Sequence, residues 1–170
     1  MTGSLKKPKV IYVDQFDTSV GSWRVDRSGD ELKQFKQAAT TELQYMLVVR
    51  LQEIASSSNK PAKLPGSGLL VKGEFTRVNQ GSRALRMGIG FGAGGTKVET
   101  RVKLYDLAVS RTKPIATFET TGGSNAQPGL IGGDVITGTI FAAANATGLT
   151  ADWNRTAREI RNFIRNRFTN

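Results

Sequence analysis

The sequence contains no cysteine and no histidine among its 170 residues. Without cysteine it can form no disulfide, thiolate nucleophile or cysteine-ligated metal centre. Without histidine it lacks the usual acid–base group at neutral pH and the base of Ser-His-Asp and Cys-His sites. Any catalysis would have to use carboxylates, lysine, tyrosine or backbone amides. The sequence therefore predicts a non-enzymatic protein that needs no cofactor and no metal.

Acidic residues are few, with 14 Asp and Glu against 24 Lys and Arg, which gives a net charge of +10. The surface must therefore carry a positive potential at physiological pH. Nucleic acid, anionic lipid headgroups, lipopolysaccharide phosphates and an acidic protein face are all candidate partners. Net charge alone does not choose among them.

The first residues contain no long apolar run, which would mark a signal peptide or a membrane span. Gly3 and Ser4 resemble residues introduced by cloning, and we expect residues 1–7 to be a flexible or cloning-derived N-terminus. A native leader, and with it a lipid-bearing cysteine, is then expected to have preceded Leu5. With 38% hydrophobic residues, the whole range 1–170 is expected to form one domain.

The first half of the chain predicts one strand and one long helix. Lys9 to Phe16 is β-branched and aromatic, as is typical of a core strand. Residues 17–29 are rich in Gly, Ser and charges and predict a surface loop, with Trp23 packed against the domain edge. From Asp30 to Ile54 the apolar residues recur at spacings of three and four, which predicts a helix that ends before the polar residues 56–59.

The second half predicts an antiparallel meander followed by helices. Leu69 to Val78, Lys97 to Val109 and Ile115 to Thr121 show partial alternation and are expected to be strands. Asp134 to Ala146 is almost uncharged and is expected to be a buried or interfacial helix. The predicted fold is therefore α/β (α+β), with one mixed, mostly antiparallel sheet of about four strands packed by a long helix and one or two C-terminal helices.

The last predicted helix has one apolar face and one basic face. Trp153, Ala157, Ile160, Ile164 and Phe168 share the apolar face. Arginines can contact phosphate groups in bidentate fashion, so the opposite face is a candidate surface for an anionic partner, although a solvated outer face would look similar. The candidate residues are Arg155, Arg158, Arg161 and Arg165, together with Arg83 and Arg86 from the glycine-rich region.

The glycine-rich stretch Gly88 to Gly95 suggests a phosphate-binding loop, but a strand rather than a helix is predicted to follow it. A bend between strands is the simpler interpretation. Alternating apolar residues make the stretch a candidate interface loop for a membrane or a subunit. Its residues are Met87, Gly88, Ile89, Gly90, Phe91 and Gly92.

Asp14 and Asp17 lie at the end of the first predicted strand, where open α/β sheets often place functional groups. Two acids without a third ligand or a histidine are more typical of loop hydrogen bonding than of catalysis. A carboxylate hydrolase is thus the weaker interpretation.

Several segments resemble the family called domain of unknown function 4410. They are Gly73 to Arg86, the glycine run through Gly95, Val98 to Asp106, the strand Ile11 to Phe16 and the Ala-rich C-terminal region. The family implies a bacterial envelope protein and supplies no catalytic residues. Its motif positions correspond here to Gly73, Gly81, Arg83, Arg86, Gly88, Gly90 and Gly92.

The order of elements is also similar to that of the periplasmic domain of curli-secretion lipoproteins. That likeness would imply a role in envelope assembly or secretion and the formation of a ring. The sequence thus predicts an envelope binding or scaffold protein of the periplasm or outer membrane. Its expected partner is a protein or an anionic envelope component, with peripheral membrane contact and homo-oligomer formation as further expectations. The alternative is a nucleic-acid-binding protein that uses the basic C-terminal helix.

Overall fold

The computed structural model describes residues 6–81, 96–123 and 149–168. These residues form six strands and two helices. The strands are β1 (Val10–Val13), β2 (Ser22–Arg24), β3 (Ser56–Asn59), β4 (Leu69–Asn79), β5 (Lys97–Asp106) and β6 (Ala116–Gly123). The helices are α1 (Gly29–Leu51) and α2 (Thr150–Phe168). Within the described ranges, neither helix has the length and apolar character that a membrane crossing needs.

All six strands belong to one mixed sheet with the order β3-β1-β4-β5-β6. The second half consists of antiparallel pairs, β4 with β5 and β5 with β6, as the predicted meander requires. The first half is parallel, because β1 lies between β3 and the start of β4. The short strand β2 pairs with the far end of β4, so β1 and β2 follow one another along the same side of that strand.

Both helices contribute to the same main core with one face of the sheet, which makes a two-layer α+β domain. The buried side chains of α2 include all five residues of its predicted apolar face, from Trp153 to Phe168. A smaller cluster of Leu70, Tyr105 and Leu107, with Tyr12 and Leu64 beside it, forms apart from the main core. The predicted fold class is confirmed.

A bulge in β4 changes which residues face the helices. Leu69, Val71 and Phe75 follow the two-residue alternation of a strand, but Val78 also belongs to the main core. The register against β5 shifts between Phe75 and Arg77, so Thr76 is an extra residue. The shift lets Phe75 and Val78, three residues apart, face the same side.

The predicted strand count of about four was too low. The segment 17–29, predicted as a loop, contains β2, and residues 56–59, predicted only to end the first helix, form β3. Both strands are short, and β3 is entirely polar, so neither carries the apolar alternation on which the prediction depended. Trp23 does pack inward as expected, against Phe35 and Phe75. The helix predicted over Asp134 to Ala146 lies outside the described residues.

Candidate functional site

Helix α2 covers the outer edge of β6 with polar groups. The backbone N–H of Thr121 donates to Oε2 of Glu159 at 3.2 Å. Near the other end of the strand, Nη2 of Arg167 donates to the backbone oxygen of Ile115 at 3.2 Å. Backbone groups at a sheet edge would otherwise be available to another chain. Side chains of α2 thus occupy one such group of β6 and the backbone oxygen of the residue directly before the strand.

An aromatic pair packs α2 against the same strand. The rings of Phe118 on β6 and Phe163 on α2 are stacked, with centroids 3.7 Å apart and planes at 15°. Such pairs stabilise beyond the area they bury, by about 0.5–1.5 kcal/mol. The β6 edge is therefore closed by both packing and hydrogen bonds.

The opposite edge of the sheet, at β3, is different. The backbone N–H of Lys60 donates to the oxygen of Val13 at 2.8 Å, so this amide points toward β1. Amides alternate in direction along a strand, and the register pairs Val13 with Asn59. The amides of Ser57 and Asn59 therefore point away from β1, on the outer side of the sheet. These are the groups to which a further strand would bind.

Among the described residues no further strand pairs with this open edge, which is short and has a defined end. Strand β3 has only four residues, and Lys60 and Pro61 follow it directly. Lysine and proline at an edge oppose unspecific strand pairing. Nζ of Lys60 lies 3.5 Å from Oδ2 of Asp14. This ion pair holds the Lys60 side chain at the end of β1. Pairing is thus limited to a segment of a few residues.

A groove of about 530 Å³ runs between α1 and β3. This volume lies within the range of roughly 300–1,000 Å³ that is common for ligand clefts. Its described lining combines hydroxyl and amide groups and one carboxyl group with one aromatic and one aliphatic side chain. The lining residues are Thr41, Glu42, Gln44, Tyr45, Val48, Ser57, Ser58 and Asn59. We call it the α1/β3 groove.

Among the described lining residues, Glu42 is the only charged one. It is 4% exposed, and its Oε1 has no hydrogen-bond partner among the described residues. Burial disfavours the ionised carboxylate and raises the pKa of Glu42 to about 7. Nearby Gln44 is also buried, but its Nε2 donates to the backbone oxygen of Val13 at 2.8 Å. Glu42 is thus a buried acid that lacks a partner for one of its oxygens.

The α1/β3 groove therefore offers two kinds of contact side by side. The outward amides of β3 can bind the backbone of an extended chain, and Glu42 can bind a cationic group. Among the described residues, no three His, Asp or Glu side chains form a group that could hold a metal ion. The arrangement suits recognition of an extended chain.

The arginines predicted to form an anion-binding surface follow one another along one side of α2 at spacings of three and four residues. Nη1 of Arg155 donates to Oδ1 of the buried Asp152 at 3.0 Å, and Arg161 is paired with Glu53 beyond the end of α1. Arg158 is half-buried and Arg165 is exposed. Burial raises the pKa of Asp152, and hydrogen bonds from Thr96 and Arg155 oppose this shift. Two of the four candidates thus hold carboxylates of the same chain.

The other predicted candidates lie outside the described residues. These are Arg83 and Arg86 and the interface loop Met87 to Gly92. Their role remains a prediction from the sequence.

Asp14 and Asp17 form contacts typical of loop residues. Oδ1 of Asp14 accepts the N–H of Gln15 at 3.0 Å. Oδ1 of Asp17 accepts both the N–H and the hydroxyl of Ser19 at 2.7 Å, and these hydrogen bonds lower the pKa of Asp17. Such contacts agree with the structural interpretation of this pair.

The sequence did not single out Glu42 or β3. A glutamate inside an amphipathic helix normally lies on the solvated face, and the stretch Ser56–Asn59 has no apolar residue. Arg50, which interrupts the apolar residues of α1, is a second charged residue that is buried in this helix. It is 3% exposed, and its Nη2 donates to Oδ1 of Asn154 on α2 at 3.2 Å. Only the packing of the two helices reveals where these polar side chains lie.

The family model called domain of unknown function 4410 matches residues 11–145, well over half of the chain. The chain belongs to this family. The resemblance predicted from the sequence is thereby confirmed. No curated protein matches the sequence significantly.

Among solved structures, the hypothetical protein CT253 from Chlamydia trachomatis is similar with a TM-score of 0.51 and 12% identity, over 96% of this chain and 99% of that one. The PelC dodecamer from Paraburkholderia phytofirmans gives a TM-score of 0.41 and 15% identity, over 91% of both chains. At these identities the first likeness concerns the fold alone, and we draw nothing from the second.

Two family-like glycines have clear structural roles. A Cβ on Gly73 would lie 2.4 Å from the ring of Phe16, so only glycine lets this ring lie against β4. Gly81, two residues after the end of β4, has a φ of 75°, at which residues with a side chain would be strained. Both positions shape the sheet and contact no site.

Proposed function

We propose that this protein is a non-enzymatic binding or scaffold protein of the bacterial cell envelope, in the periplasm or at the outer membrane. In this proposal it holds a protein partner along the β3 edge of its sheet. Membership of a family that we associate with envelope proteins supports the compartment. The absence of cysteine and histidine from the sequence supports a role without catalysis.

The observation that carries the proposal is the difference between the two edges of one sheet. At β6, side chains of α2 occupy backbone groups of the edge. At β3, the amides of Ser57 and Asn59 point outward beside a groove of about 530 Å³. Strand addition to such an edge is a recurring way to bind an extended protein segment.

A second part of this proposal concerns the basic surface of α2. On α2, Arg158 is half-buried and Arg165 is exposed, and the chain carries a net charge of +10. Such a surface suits an anionic envelope component or peripheral contact with an anionic membrane. The alternative function, binding of nucleic acid, gains no support from Arg155 and Arg161, which are paired with Asp152 and Glu53.

Photo-crosslinking in cells of the native bacterium tests the proposal. A photoreactive side chain is placed at Ser58, exposed on β3, and in a matched variant at Thr117, exposed on β6. We expect adducts of defined mass from position 58 and none from position 117. The adducts should be found in the envelope fraction and should disappear when Asn59→Pro removes an outward amide.

Equal adducts from both positions would contradict a role for the open edge. Adducts confined to the cytosolic fraction would contradict envelope residence. If adducts from position 58 survive Asn59→Pro, the partner is held by something other than strand addition.

A further inference from the structure

The α1/β3 groove has a feature that strand addition alone does not need. Backbone pairing to β3 uses only the outward amides and the carbonyl between them. Glu42, on α1, is a second functional group in the same lining. Glu42 therefore limits which side chains the bound segment can carry.

Glu42 is a buried acid, and one of its carboxyl oxygens has no hydrogen-bond partner among the described residues. Native proteins pair nearly all buried polar atoms, and an unpaired one lowers stability by about 1–3 kcal/mol. Oε1 of Glu42 has no partner among the described residues, although the residue is only 4% exposed. In the same lining, Oγ of Ser57 is likewise buried and without a described partner.

The charges around the groove favour a cationic guest. Among the described residues of the lining, Glu42 alone has a formal charge, and Tyr45 is the other titratable one. Two cations on neighbouring elements are already paired, Lys60 beyond β3 with Asp14 and Arg161 of α2 with Glu53. Burial, and no charged neighbour among the described residues, accounts for the raised pKa of Glu42.

We propose that the α1/β3 groove binds an extended segment of a partner protein that carries a lysine or arginine, whose charged group is bound by the carboxylate of Glu42. The backbone of the segment pairs with β3 through Ser57 and Asn59. Because a glutamate side chain has three rotatable bonds, its carboxyl can adjust to the bound cation without movement of α1. The inference rests on the proposed function and adds the chemistry of the partner.

The ionisation of Glu42 makes the proposal sensitive to pH. Burial raises the pKa of Glu42 to about 7, so the carboxylate form that binds a cation becomes dominant only above that pH. Apparent affinity scales with the fraction of the competent form. Between pH 6 and pH 8 the affinity for a cationic segment should therefore rise by about tenfold.

Two synthetic peptides test the proposal with purified protein. Each has seven residues of alternating threonine and valine and a fluorescent label, and the central residue is lysine in one and glutamine in the other. By fluorescence anisotropy at pH 8, the lysine peptide should bind at least about tenfold more tightly, as a charge-assisted hydrogen bond implies. Glu42→Gln should abolish this difference, whereas Glu31→Gln, an exposed position of the same helix, should leave it unchanged.

The outcomes separate this inference from the proposed function. If both peptides bind equally and Asn59→Pro weakens both, the open edge binds strands but the role of Glu42 is wrong. If neither peptide binds while crosslinking from Ser58 succeeds, the groove inference fails and the proposed function stands. If Glu42→Gln does not fold, the affinity of the unmodified protein for the lysine peptide is measured from pH 6 to pH 8 instead. An affinity that is constant over this range overturns the inference.

A second copy of the chain is the competing occupant. Sedimentation of the protein alone distinguishes it. Self-association that Asn59→Pro abolishes and that the lysine peptide displaces would assign the groove to another copy and overturn the assignment to a partner protein.

Discussion

The two edges of the sheet differ in how they limit the pairing of their backbone groups with another chain. At β6, Glu159 and Arg167 of α2 bind edge backbone groups and Phe163 stacks on Phe118. At β3, a four-residue strand leaves outward amides beside a groove and is bounded by Lys60 and Pro61. Edges invite unspecific pairing unless they are covered or kept short. The covered edge contributes to stability, and the short edge has no further strand beside it among the described residues.

The largest expected effect is at the covered edge. Ile160 of α2 is completely buried between the helix and the rest of the core. Ile160→Ala should lower the free energy of unfolding by about 2–5 kcal/mol because it leaves a cavity under the helix that closes β6. Urea denaturation followed by circular dichroism measures this change. Asn166→Ala, at an exposed position of α2, is the control, with an expected change below about 0.5 kcal/mol.

A loss below about 1 kcal/mol for Ile160→Ala would mean that α2 contributes little to the core. The difference between the edges would then not be one of stability.

The next effect concerns the groove at the open edge and depends on pH. The pKa of Glu42 is about 7 in the folded protein, above its usual value of 4.5, so the folded state binds more protons between these values. Stability from this group is fully present below about pH 4.5 and is lost as pH rises through 7, by about 3 kcal/mol in total. Glu42→Gln should remove this loss and be the more stable protein at pH 8.

Urea midpoints of both proteins from pH 4.5 to pH 8 measure this dependence. Glu31→Gln serves as the control because Glu31 is exposed on the same helix. Parallel pH profiles for Glu42→Gln and the unmodified protein would contradict the burial of the carboxyl.

A third prediction compares two neighbouring positions on β3. The alternation of amides places Ser58 N–H toward β1 and Asn59 N–H outward. Ser58→Pro removes a hydrogen bond of the sheet and should lower stability by about 1–3 kcal/mol. Asn59→Pro removes only the outward donor and should change stability by less than about 1 kcal/mol. Denaturation midpoints compare the two, and equal losses would show that the assigned directions are wrong.

The smallest effect concerns the ion pair between the helices. Glu53 beyond α1 contacts Arg161 of α2, and the glutamate side chain is 49% exposed. Exposed pairs contribute little, so Glu53→Gln should lower stability by less than about 1 kcal/mol, and high salt should reduce the difference further. Thermal denaturation at low and high salt measures it. A larger loss would mean that charges, rather than packing, hold α2 over the sheet.

The sequence was most informative where a residue's role follows from local pattern. The spacing of apolar residues located both helices, because a helix that packs on a sheet must present one apolar face. Partial alternation of apolar and polar residues likewise predicted the strands β4, β5 and β6, which form an antiparallel series. The family resemblance was also carried by local motifs and is confirmed.

The tertiary structure alone decided the two short strands, the bulge in β4 and the candidate site. The polar segment Ser56–Asn59 is a strand because β1 offers it backbone partners, and no feature of its own side chains requires this. Glu42 is a site residue because its helix turns it toward the groove, where burial rather than sequence context raises its pKa. Periodicity reports which face of an element is apolar, whereas pairing and burial depend on residues distant in the chain.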